Sequence, residues 1–272
     1  MFAEKSRFRS DSAKRAKMFL LSFIIAVAIF VHKLLQRSDS TILYLYGIAF
    51  GGAIISYFGL LWVSNFIVNK KVLLFIIPQA SFLIFSQILF MELFFFAKFV
   101  RIYEALLFFL LLLIIGFAAN VTFLMANIFI VSSVRPIPLE QVAKTTSYIL
   151  TVLSAYFITF SILSTALSFP LTLLILLILY IMIVAMHLLH IKLSIQEFWS
   201  GVLITSFNMF QVFIAFSQIG RRYEIIALGP VIAMLTSIGV IVGFSQKNLT
   251  KFQLFLYILS VLLVVFLNIY FA

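Results

Sequence analysis

Cysteine is absent from the 272 residues. That absence removes disulfides, thiolate nucleophiles and Cys-bound zinc or iron–sulfur clusters together, and it leaves the redox compartment unreadable. Acidic residues are scarce as well: eight Asp and Glu stand against 19 Lys and Arg, for a formal net charge of +11. Glu4, Asp11 and Asp39 fall in the polar tail or a loop, and Glu92, Glu104, Glu140, Glu197 and Glu224 fall at or near the ends of apolar runs. No carboxylate sits in the middle of a run, where proton- and sodium-coupled carriers usually keep one, so ordinary ion coupling is disfavoured. Glu92 comes closest, with Lys98 and Arg101 near enough in sequence to pair with it at the boundary.

Polar surface is the next thing missing. Charged residues make up 10% of the chain and hydrophobic residues 65%, with a mean hydropathy of +1.25. A water-soluble globule of this length could not be coated with so little charge. The chain therefore needs lipid as its solvent, where every backbone N–H and C=O must be paired internally and only helices or a closed β-barrel are possible. A barrel strand alternates lipid-facing and lumen-facing residues, whereas the segments 106–115 and 173–185 are apolar on every face. The expected fold class is all-α: a polytopic transmembrane helical bundle.

A helix needs about 20 apolar residues to cross, and on that rule there are about nine spanning helices: 18–35, 41–63, 72–97, 105–131, 146–167, 170–190, 198–219, 225–244 and 252–271. The connections are too short for a soluble domain. The organisation expected is a basic cytoplasmic N-terminal tail, 1–17, followed by a single membrane domain, 18–272. Asn208, Gln211 and Gln218 make the seventh segment the most polar, and the count falls to eight if it re-enters instead of crossing.

Lys5, Arg7, Arg9, Lys14, Arg15 and Lys17 precede the first span. Basic residues at a span end favour the cytoplasmic side, which places the N-terminus inside and, with nine spans, the C-terminus outside, in a plasma or inner membrane. The tail carries nearly all of that bias. It also offers a surface for anionic lipid headgroups, while no nucleic-acid partner is expected. Ala26, Val27 and Ala28 have the small-x-small form of a signal cleavage site, but the apolar run continues beyond them and Lys33 can snorkel from the helix end.

Several spans carry a polar face. Ser147, Thr151, Ser154, Ser161, Thr165 and Ser168 recur on one side of the fifth, where small hydroxyls suit close helix packing or line a polar cavity. Gly116, Asn120 and Asn127 stack on the fourth; Gly201, Thr205, Asn208, Gln211 and Ala215 on the seventh; Gln79, Ser86 and Gln87 mark the third. Amides at bilayer depth should point toward other helices. The candidate cavity-lining residues are accordingly Gln87, Asn120, Asn127, Ser154, Ser161, Asn208 and Gln211, among spans three, four, five and seven. The sixth span, nearly all Leu, Ile, Val and Met, belongs at the periphery. Gly47, Gly51, Gly52 and Gly59 on the second span, and Gly229, Gly239 and Gly243 on the eighth, favour tight crossings within the chain or in a homo-oligomer.

No HExxH, GxSxG, Walker loop or dinucleotide fingerprint occurs, so no catalytic residue, cofactor or metal site is assigned. His187 and His190, with Glu197 nearby, fall short of a supported three-ligand set and read as interfacial imidazoles. The stretch Phe82–Ile88 resembles Phe213–Ile219 and would superpose spans one to four on five to eight, although so biased an alphabet makes short matches cheap. After Pro138, Glu140 and Lys144 should pair in a short cytoplasmic helix leading into the fifth span. The functional expectation is a carrier or flippase-like protein for a neutral or lipidic solute. The alternatives are a non-catalytic scaffold of a membrane complex and, more distantly, a lipid-modifying enzyme using Glu92, Glu140 or Glu197.

Overall fold

The computed structural model describes residues 2–35, 42–66, 68–94, 102–133, 138–165, 167–191, 193–220, 222–246 and 249–271. Every regular element among them is helical: α1 Phe2–Leu35, α2 Ile42–Val63, α3 Ile77–Phe94, α4 Ile102–Ser132, α5 Glu140–Ser164, α6 Phe169–Leu188, α7 Ile195–Ile219, the short α8 Tyr223–Ile226, α9 Leu228–Ser245 and α10 Lys251–Tyr270. Nine helical segments among the described residues are long and apolar enough to span a membrane, the eighth combining α8 and α9. The chain is thus an all-α bundle of membrane-spanning type.

α1 runs unbroken from residue 2 through the basic tail into the first span. One expectation about helix boundaries is corrected: among the described residues no separate short helix precedes the fifth span, because α5 is one helix from Glu140, with the expected Glu140–Lys144 pair closed at 2.7 Å. The seventh segment forms one uninterrupted 25-residue helix, about 37 Å long at 1.5 Å per residue. A re-entrant segment turns back inside the bilayer, whereas this length exceeds the roughly 30 Å hydrocarbon core.

The helices gather into two compact units, Met1–Ser147 and Tyr148–Ala272. In the first unit α1 packs along α4 and α2 along α3. Met18, Leu21, Ser22, Ile25, Ile29 and Lys33 form the buried stripe of α1, at the three- and four-residue spacing of a helix face. Two glycines let α2 seat its neighbours: a Cβ on Gly59 would stand 2.5 Å from Leu21 Cδ1, and one on Gly52 would collide with Ile88 Cδ1. Lys17 fastens α1 to the end of α2, donating to Asn65 Oδ1 at 2.9 Å with its ammonium 4.8 Å from the Trp62 ring centre. Asn65 and Phe66 have left-handed backbone angles that stop α2 there. A π turn, Val72–Ile76, leads into α3, with the Ile77 N–H donating to the Val72 carbonyl. Pro78 follows at once; it has no N–H and its ring crowds the preceding turn, which the widened turn relieves.

In the second unit α7 packs against both α6 and α9, and α10 against α9. Ser194 with Glu197 and Thr250 with Gln253 form capping boxes that start α7 and α10. Pro170 sits in the first turn of α6, where a missing N–H costs nothing. The Tyr180 hydroxyl lies 2.9 Å from Thr159 Oγ1, joining α6 to α5. Gly229 fits against the Phe216 ring and Gly239 against Tyr257, so these glycines serve crossings inside the chain. The repeat-like pair Gln87 and Gln218 differ in setting, the first buried and the second exposed.

Candidate functional site: a cation-rimmed cavity and a buried ion cluster

In the first unit, polar side chains gather at opposite ends of α1. Asn120 and Asn127 stand seven residues apart on α4, which puts them on one face about 10 Å apart along its axis. Both line a cavity of about 710 Å³. Lys14 and Arg15 of α1 line it too, and Pro138 and Leu139 close the end beyond α4. Each asparagine is half-buried, and neither has a hydrogen-bond partner among the described residues. An unpaired amide away from water is costly. At bilayer depth water or the polar end of a solute would complete them.

A second cavity of about 450 Å³ continues from the first, sharing Phe19 and Asn120 with it. It runs between α1 and α4 past Phe23, Phe30, Phe109 and Phe117. Gly116 faces Ala26 here, and an added Cβ would make an ordinary van der Waals contact with Ala26 Cβ at 3.5 Å. Phe23, Phe109 and Phe117 are all exposed, so the trough opens sideways toward lipid. It ends near the Phe30–Phe108 stack, whose ring centres are 6.2 Å apart.

One turn beyond lies the second cluster. Lys33 Nζ stands 3.0 Å from Glu92 Oε2 and donates to the Glu92 backbone carbonyl at 2.9 Å. His32 Nδ1 lies 3.0 Å from Glu92 Oε1, within hydrogen-bonding distance. The Lys33 and Glu92 side chains are fully buried, and His32 rests against the Tyr44 ring at 5.3 Å. Its Nε2 is buried with no partner among the described residues. One expectation is corrected. Lys33 does not snorkel, and the described partners of Glu92 come from α1; Lys98 and Arg101 lie outside the described residues.

The other candidates are placed as follows. Gln87 is buried, donating to Thr122 Oγ1 at 3.4 Å while its Oε1 has no partner. Ser154 and Ser161 are buried with the rest of their stripe except the exposed Ser168. In the second unit Asn208 donates to Ser237 Oγ at 2.7 Å, tying α7 to α9. Gln211 is exposed rather than turned inward, because its turn of α7 lies on the same outward side as Ile204 and Phe207. His187 is buried against Tyr148, ring centres 5.1 Å apart. Glu197 accepts from the Ser194 backbone and from Ser245 Oγ, so each boundary carboxylate proposed for chemistry already has a structural partner.

Polar faces alone point to spans three, four, five and seven; the wall opposite Asn120 and Asn127 is α1. Lys14 and Arg15 read in sequence as a topological signal and a surface for anionic headgroups, not as part of a cavity wall. Their position in the cavity wall depends on α1 continuing as a helix through the tail, which charge counting cannot see. These features define an integral-membrane-type helical protein with a cation-rimmed polar cavity opening into an apolar trough. Compared with family models, curated proteins and solved structures, the chain shows no match.

Proposed function

We propose that the protein is a carrier for a lipidic solute, entered from the side of the first unit. The observation that carries this reading is the pair of unpartnered, half-buried amides, Asn120 and Asn127, on one cavity wall. Water or the polar end of a solute removes the cost of those unpaired groups, and the phenylalanine trough gives the apolar remainder a path continuous with the bilayer. A neutral polar solute would leave the trough without purpose. In this reading the N-terminus is cytoplasmic and the C-terminus outside, in a plasma or inner membrane, and the basic start of α1 docks anionic headgroups. Self-association would use Gly47 and Gly51, whose surroundings are open.

The scaffold alternative draws on the paired polar groups, Gln87 with Thr122 and Asn208 with Ser237, which act as packing bonds. Cysteine scanning separates the two, and the absence of native cysteine keeps it clean. Single cysteines at 120 and 127 should react with a small water-soluble thiol reagent, since thiolate forms only where water reaches. A cysteine at Ile178, exposed on the apolar α6, should not. Protection at both asparagine positions in the folded protein would move the scaffold reading to first place.

A further inference from the structure

We infer that the α1–α4 face of the first unit is a binding site for one anionic phospholipid, headgroup between Lys14 and Arg15 and an acyl chain along the phenylalanine trough. This rests on the carrier reading and names its ligand class. The two cavities share Phe19 and Asn120, so a single molecule can occupy both. From Lys14 to Phe30 is sixteen residues of one continuous helix, about 24 Å, which accommodates a headgroup and much of an extended acyl chain.

The chemistry changes along that length in the order an amphiphile requires. At the wide end stand two cations and, on the facing helix, two amides able to donate to phosphate and ester oxygens. At the narrow end only apolar walls remain, Phe30 and Phe109 among them. Among the described residues no carboxylate lines either cavity, so the lining cations Lys14 and Arg15 favour an anionic head over a zwitterionic one. Because Phe23, Phe109 and Phe117 are exposed, the chain can enter sideways from the leaflet.

The test uses the full-length protein in nanodiscs holding phosphatidylglycerol or phosphatidylcholine, each with a photoreactive diazirine on an acyl chain. Crosslinks from the anionic probe should concentrate on α1 and α4 around Phe23 and Phe117, with the zwitterionic probe much weaker there. The double variant K14Q/R15Q should lower the preference for the anionic probe roughly tenfold or more, and Gly116→Leu should reduce labelling by both probes at the trough. Both variants are checked for an unchanged thermal unfolding midpoint; should Gly116→Leu fail to fold, the charge variant still decides. Equal labelling by the two probes, or anionic labelling spread evenly onto Ile178 of α6, overturns the site. Chain-to-chain crosslinks through the same face would give it to a second copy and overturn it equally. Reactive cysteines at 120 and 127 together with either result leave the carrier standing and remove only its phospholipid ligand.

Discussion

Glu92 is the residue on which the first unit's charge balance turns. Withdrawn from water, a carboxylate and an ammonium each lose several kcal/mol of solvation, and only good geometry with additional hydrogen bonds recovers it. Lys33 supplies both, meeting the carboxylate and the Glu92 carbonyl at once, while His32 takes the second oxygen. Glu92→Leu should therefore cost about 3 kcal/mol or more, because it strands a buried lysine, whereas Lys33→Met with Glu92→Leu should recover most of the loss. Thermal unfolding of the singles and the double in one nanodisc preparation measures this; additive losses would mean that the two groups are not coupled. None of this cluster was legible in the sequence. The partners are 59 residues apart, and no local pattern in the chain links them.

The helices were legible and their orientations only in part, for one physical reason. In lipid the outward face of a helix is as apolar as its buried face, so composition locates a span without telling its sides apart. On α1 the exposed Phe19, Phe23 and Val27 alternate with the buried Leu21, Ile25 and Ile29, and no hydropathy contrast separates them. Orientation is readable where polarity breaks the uniformity, as on α5, whose hydroxyl stripe from Ser147 to Thr165 is buried. Even there the signal can mislead: Gln211 has the same polarity and faces outward. Replacing Ser154 or Ser161 by Leu should overpack a filled site and cost about 1 to 3 kcal/mol, while Ile178→Leu, on an exposed position of α6, should be nearly neutral. Unfolding midpoints that fall equally for all three would show the stripe not to be packed.

For the whole molecule, helix count, charge bias and the N-terminal cavity bear on one another. In the proposed topology nine crossings put the two ends of the chain on opposite sides, with the basic start of α1, and so Lys14 and Arg15, on the cytoplasmic side. On that proposal their cavity would face the leaflet that is rich in anionic lipid; the His32–Lys33–Glu92 cluster lies at the far end of the same helix. Only the helix count follows from composition; the cavity follows from α1 meeting α4 across more than a hundred residues of chain, which no local pattern announces. The parity of the spans is open to direct test. A reporter that is active only outside the cytoplasm, fused after Ala272, should be active, and the same reporter inserted between Leu189 and Ile195, after the sixth span, should be silent. Swapping in a reporter active only in the cytoplasm should reverse both results. A cytoplasmic C-terminus would mean that one of the nine helices fails to cross, and α7, with Asn208, Gln211 and Gln218 along its length, is the one whose desolvation would be hardest to recover. A fusion after Gln246 decides between them: it reads cytoplasmic when α7 and the α8–α9 segment both cross, and external when α7 alone does not.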